Sequence, residues 1–296
     1  MSKRGWLLFL ALGVIWGIPY LLIRVAVEDL SPAVVVFGRL SLGALVLLPL
    51  AIRQGQAGVI RTHWRGILLF AVVEMCIPFG ALGIAEQRIS SSLAGLLIAA
   101  VPMVNAVATY RLGMDTSWNS RRVGGLFIGL AGVALLVGFD IHADNWWSVA
   151  ICGFAVIGYA CGPIMITKFM NDVPSSGVIS WSQTVAAAIY LPVVAVQLST
   201  GHWNTGTVHV KAWAAVVGLG LVCTAAAFVL LFALVEEAGP SRTTLITYMN
   251  PAVAVILGIS ILDEPFTRGI ALGFPLVLIG SFLATRKPVT PQPVTT

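Results

Sequence analysis

The sequence predicts an all-α membrane protein with ten transmembrane helices in two inverted five-helix repeats. Three observations predict it. The 296 residues are 58% hydrophobic and only 10% charged, with a mean hydropathy of +0.95. A soluble domain carries about 25% charged residues and must cover its core with polar surface. The apolar residues fall into ten runs of membrane-spanning length, and the second half repeats landmarks of the first in the same order.

A helix needs about 20 mostly apolar residues to cross roughly 30 Å of hydrocarbon. Such runs lie at 6–26, 32–52, 65–84, 91–110, 121–139, 147–167, 178–198, 212–232, 243–262 and 268–286. The connections hold the turn-formers and charges, and none is long enough for a soluble domain. The apolar run from Trp6 continues without a small-residue cleavage site as far as Glu28 and Asp29, so it is expected to be the first span and not a signal peptide. The tail 288–296, PVTPQPVTT, is Pro/Thr-rich and expected to be disordered.

Lys and Arg set the direction. With a cytoplasmic N terminus, that side collects Lys3, Arg4, Arg53, Arg61, Arg65, Arg111, Arg121, Arg122, Lys168, Arg242, Arg286 and Lys287. The other side collects only Arg24, Arg88, Lys211 and Arg268. Both termini are therefore expected in the cytoplasm of a multi-pass protein of the cell inner membrane. The net charge of +5 reads as this topology signal, and no nucleic-acid partner is expected. Trp6, Trp64, Trp146, Trp147 and Trp213 mark span ends, as in an interfacial aromatic belt.

The repeat divides the chain into 1–145 and 146–287. Pro19 and Arg24 match Pro163 and Lys168, and Pro49 matches Pro192. Trp64 matches Trp213, Pro102 matches Pro251, and Gly125 and Gly132 match Gly273 and Gly280. Five spans per half is an odd number, so the second half enters the membrane from the opposite face. That is the inverted repeat of many secondary transporters, in which two packings of similar halves open a central site to each side in turn.

Pro- or Gly-broken spans at matching places point to such a site. Here they are spans one and six (Pro19, Pro163) and four and nine (Pro102, Pro251), given a structural or gating role. A proline frees a carbonyl that needs a partner at membrane depth. Near these breaks lie Trp16, Tyr20, Phe79, Asn105, Tyr159, Trp181, Gln183, Tyr248 and Asn250. This lining, aromatic with a few amides and hydroxyls, suits a small zwitterion with an apolar side chain better than a sugar or an inorganic ion.

Two charges lie deep, Arg39 on span two and Glu74 on span three. Charges there are costly and usually functional. Arg39 is in reach of Glu74 as a buried ion pair. The alternatives are a Glu74 carboxyl that carries a proton or contacts substrate, and an Arg39 that gates or meets a substrate carboxylate. Glycines on spans five and ten (Gly124, Gly125, Gly129, Gly132, Gly269, Gly273, Gly280) permit close helix approach, within the chain or at a homodimer face. Cys76, Cys152, Cys161 and Cys223 sit in apolar stretches as small core residues, and no metal or cofactor is expected.

Ile15-Trp16-Gly17, Leu30-Ser31-Pro32 and Arg39 resemble the opening of EamA-type proteins of the drug/metabolite transporter superfamily. Ser91–Pro102 leading to Leu112-Gly113-Met114-Asp115 extends the likeness, as does Asn250-Pro251 leading to Leu262-Asp263-Glu264-Pro265. Met114-Asp115 departs from the usual Glu but keeps the charge. The resemblance implies ten helices, inverted repeats and export of metabolites. More narrowly it is to bacterial aromatic amino-acid exporters, which implies amino-acid export by alternating access. The alternatives are export of another small metabolite or drug, or a membrane-embedded enzyme. An enzyme lacks a catalytic constellation at one depth, a retinal receptor lacks a mid-span lysine, and a channel lacks a continuous polar stripe. No Walker-type glycine loop is present, so gradients supply the drive.

Overall fold

The structure, a computed structural model, describes residues 1–115, 118–140, 145–204, 206–239 and 243–285. It is all-helical among the described residues, and ten apolar helices follow one another. They are α1 (Lys3–Ala26), α2 (Pro32–Arg53), α3 (Val59–Ala85), α4 (Ser91–Arg111) and α5 (Ser120–Asp140) in the first half. The second half has α6 (Trp146–Phe169), α7 (Ser175–Thr200), α8 (Val210–Ala238), α9 (Leu245–Ile261) and α10 (Arg268–Thr285). Nine are long and apolar enough to cross a membrane and α9 is shorter. The end of the bundle carrying the start of α1 is called here the near face, and the opposite end the far face.

Local chemistry sets the starts. Ser2, Ser31 and Ser90 each accept a main-chain N–H in the first turn of α1, α2 and α4, which satisfies a donor the helix itself cannot. Pro32 follows Ser31 at a position where its missing N–H costs nothing. Two bounds differ from expectation by six residues. Helix α3 starts six residues before the apolar run, at Val59, with non-helical angles at His63, because Val59–Trp64 is an amphipathic lead-in. Helix α8 runs on to Ala238, carrying Glu236 and Glu237 to the near face. The tail from Pro288 lies outside the described residues.

Small residues, not hydrophobicity, drive helix association where the solvent is itself apolar. The tightest contact joins α5 to α10. Gly125, Gly129 and Gly132 face Gly273 and Gly280 so closely that a Cβ on Gly280 would collide with the main chain of Gly129. These glycines serve packing within the chain. Gly124 faces open space. Helix α2 packs along α7, α1 along α8 and α9, and α3 along α6. The belt tryptophans Trp6, Trp64, Trp146, Trp147 and Trp213 are all exposed at helix ends.

The prolines do not act alike. Helix α1 continues through Pro19 and α6 through Pro163. Pro19 is buried, but Pro163 is exposed on the flank of the bundle. The expected matched break in spans one and six is therefore absent, because a smoothly packed helix absorbs each missing bond. Spans four and nine do break. In α4 the helix is interrupted at Ala99 and Ala100, one turn before Pro102 is reached. The α9 segment opens with a 3₁₀ turn, Thr244–Tyr248, before Pro251. Helices α3 and α8 each carry a π-helical stretch, Ala71–Cys76 and Gly218–Ala226. These wide turns sit at matching places in the two halves, and such turns are frequent at functional sites.

Candidate functional site

Arg39 is the centre of the buried polar groups. It is 8% exposed, lays its guanidinium 3.9 Å from the Phe79 ring centre and donates Nε to Thr224 Oγ1 at 3.0 Å. Thr224 lies in the π-helical stretch of α8, so the guanidinium is held between an aromatic face from α3 and a hydroxyl from the opposite half. The Nη nitrogens make no hydrogen bond among the described residues. Tyr159 on α6 completes the aromatic wall, 6.3 Å from Phe79 between ring centres. Tyr20, 6% exposed, lies within electrostatic reach of Arg39 and Tyr159.

Glu74 lies in the π-helical stretch of α3, against Gly162 of α6, where a Cβ would leave it no room. Its Oε2 is sealed and has no hydrogen-bond partner among the described residues. The expected Arg39–Glu74 ion pair does not form: Arg39 turns to Thr224 and Phe79 on one side, Glu74 to α6 on the other. Gln183 on α7 is 1% exposed, and both its amide atoms are sealed beside Gly43 of α2, without partners among the described residues.

The remaining predicted residues divide. Trp16 stacks edge-on with Phe228, at 6.1 Å, on the α1–α8 seam. With its amide nitrogen turned inward, Asn250 donates to Gly13 and Ile246 and joins α1 to α9. Asn105 donates to Ala160 O at 2.7 Å and joins α4 to α6. Two sit apart from the centre. Trp181 donates to Gln56 O in the near-face α2–α3 turn, and the Tyr248 hydroxyl pairs with Thr285 on α10. Helical direction explains Trp181: it and Gln183 are two residues apart on α7 and so point away from each other.

Helices α4 and α9 meet in their far halves, with Gly95 against Ala254 and Gly258 against Ser92. In its near half α4 leaves α9 and packs on α6 and α10 instead. Two clefts lie elsewhere. One, of about 160 Å³, is at the far face around Arg88, Ser90 and Thr267. The other, of about 450 Å³, is an apolar groove on the flank among Ile77, Phe154 and Ile189. None of the predicted substrate residues lines either.

The far face is tied by bonds between the halves. Glu264, in the α9–α10 turn, accepts from Ser91 N at 2.7 Å, from Ser92 N at 3.0 Å and from the Ser92 hydroxyl. Asp29 accepts from the His209 N–H at 2.9 Å and its ring Nδ1 at 3.0 Å, and Lys211 donates to Glu28 at 2.7 Å. The His209 main-chain N–H holds the Asp29 carboxyl below its ordinary range. On the near face the α2–α3 segment meets the α6–α7 turn through Gln56–Ser176 and His63–Asp172. Asp115, 149 residues before Glu264, pairs with Arg122 at 3.0 Å.

The profile of the EamA-like transporter family matches residues 3–138 and 145–286. The chain belongs to that family. It is 27% identical over 94% of its length to a protein of Escherichia coli (strain K12), described as the uncharacterized inner membrane transporter YedA, of which it covers 92%. It is 22% identical over 97% of its length to the transporter YvbV of Bacillus subtilis (strain 168), covering 93% of it. With a chloroplastic WAT1-related protein of Arabidopsis thaliana it shares 23% identity over 94% of its length, covering 68% of that protein. One crystal structure superposes with a TM-score of 0.67 at 16% identity, over 96% of this chain and 97% of the other, which supports the fold.

Proposed function

We propose that this EamA-family membrane transporter exports amino acids, foremost aromatic and other apolar ones, across the cell inner membrane by alternating access. The observation that carries the reading is Arg39. A buried guanidinium with no carboxylate partner among the described residues, braced by Phe79 and Thr224, is a costly arrangement that a substrate carboxylate would complete. Glu74 stands in the same part of the bundle as an acceptor for an ammonium group, and Tyr20, Phe79 and Tyr159 supply apolar surface for a side chain.

The direction of alternation follows from α4 and α9. They close on each other at the far face and part at the near face. With the Lys/Arg-rich near face in the cytoplasm, this arrangement receives substrate from inside. Closing the near half of α4 onto α9 while releasing Glu264 from Ser91 and Ser92 would present it outside. The E. coli relative described as an inner membrane transporter supports the location.

The test is exchange in liposomes holding the purified protein, with labelled phenylalanine, leucine, aspartate and glucose, with and without a pH gradient. Phenylalanine and leucine are expected to exchange, and glucose is not. Movement of another metabolite or drug with none of the amino acids would replace the substrate class and keep the transporter.

A further inference from the structure

Glu86, one residue beyond the end of α3 at the far face, borders that site without a role in it, and it is the most fully enclosed carboxyl described. It is 0% exposed, and neither of its oxygens has a hydrogen-bond partner among the described residues. The hydroxyl of Ser91, also 0% exposed, is likewise sealed without a partner among the described residues. Around Glu86 stand Arg24 and Tyr20 from α1, Arg39 from α2, Cys152 and Tyr159 from α6, and Glu264 from the α9–α10 turn.

The cations do not neutralise it. The Arg24 guanidinium donates to the main-chain oxygen of Glu86 and not to its carboxyl. Arg39 is turned to Thr224 and Phe79. Glu264 adds a second carboxylate nearby, itself satisfied by Ser91 and Ser92. An ionised carboxyl buried without donors is strongly disfavoured, and protonation is the inexpensive remedy. Burial first, then the Glu264 charge, push the Glu86 carboxyl above its ordinary range, against the pull of Arg24.

We propose that Glu86 is a proton-binding site linked to closure of the far face: it holds a proton while Glu264 clasps Ser91 and Ser92, and loses it when that clasp parts. The turn that carries Glu264 is bonded to Ser91 and Ser92 at the start of α4. When it moves away, water reaches Glu86 beside the Arg24 cation. The proton leaves the carboxyl for external water and returns from external water on closing, so no other reactant is needed. Acid outside favours the closed far face and alkali the open one. One linked proton changes the closed-to-open ratio by up to about tenfold per pH unit. The inference rests on the alternating-access reading above but not on its substrate class.

Two measurements on the full chain in lipid nanodiscs test it without any substrate. Infrared difference spectra between mildly acidic and mildly alkaline buffer read the carbonyl band of a protonated carboxyl. The titrating band is expected to shrink in Glu86→Gln and to persist with a moved midpoint in Glu86→Asp. Spin labels at Gln87→Cys and Phe266→Cys, both exposed, with the native cysteines replaced, read the far-face distance. The short-distance population is expected to fall as pH rises in the parent, and to stay at both pH values in Glu86→Gln. A band unchanged by Glu86→Gln, a parent distance that ignores pH, or an equal pH response in parent and Glu86→Gln overturns the proposal.

Discussion

Arg39 and Thr224 belong to opposite halves of the chain, and the 3.0 Å bond from Nε of one to Oγ1 of the other fixes the guanidinium at the seam between them. A hydrogen bond to a charged group is worth about 1.5–3 kcal/mol. Thr224→Val keeps the shape and removes the acceptor, so the guanidinium loses its orientation. KM for phenylalanine exchange is expected to rise about tenfold, the lower end of that range. Arg39→Lys keeps the charge but loses both the Nε donor and the planar face on Phe79, and is expected to raise KM further. Thermal unfolding in detergent checks that both variants stay folded. An unchanged KM in both would remove Arg39 from substrate recognition.

The Glu264 clasp makes a second prediction. Its carboxylate takes three donors at the start of α4, charge-assisted bonds at a helix terminus that favours negative charge. Glu264→Ala is expected to shift the spin-label distance at the far face toward the open value at every pH, while Glu264→Gln shifts it less because an acceptor oxygen remains. Serine offers a converse check. Ser92→Ala removes one of the three donors and is expected to shift the distance least.

The α4 and α9 breaks were legible because Pro102 and Pro251 fall in the middle of apolar runs at matching places. Pro19 and Pro163 made the same pattern and misled, since a single proline in a long packed helix is absorbed without a break. The π-helical stretches were not legible. Pro78 removes the donor that would reach the Glu74 carbonyl and so hinted at the first, but its counterpart by the repeat is Ala227, which gives no hint of the second. Arg39 and Glu74 announced themselves as deep charges, while their partners did not. Which way each turns depends on Thr224 and Gly162, far along the chain. Glu264 was visible as part of a family-like Leu-Asp-Glu-Pro stretch, but its contact with Ser91 and Ser92 lies 172 or 173 residues away in sequence.

The Asp29–His209 tie has its own pH dependence. A carboxyl held below its ordinary range stabilises the fold fully above the unfolded-chain value of about 3.9, and the contribution is lost as pH falls through the lower folded value. Glu86 behaves oppositely: its contribution to closure is full below the value it has when open and is lost as pH rises through the value it has when closed. The far face is therefore expected to be tightest at mildly acidic pH. The parent should lose thermal stability below about pH 4 more steeply than Asp29→Asn, which cannot titrate there. Equal slopes would show that the tie contributes nothing.

The glycine seam yields the last prediction and separates packing from transport. A methyl group on Gly280 has nowhere to go, since Gly129 offers main chain and not a flexible side chain. Helices α5 and α10 would have to part along their length, losing the contacts that hold them in an apolar solvent. Overpacking of this kind costs about 1–3 kcal/mol, so Gly280→Ala is expected to lower the unfolding temperature in detergent. Gly124→Ala, on the same helix as Gly129 but facing open space, is expected to leave it unchanged. Because α5 and α10 stand away from Arg39, Thr224 and Phe79, the Gly280 variant that remains folded should keep the parental KM. A raised KM with normal stability would mean that the seam moves during transport and is not a fixed frame.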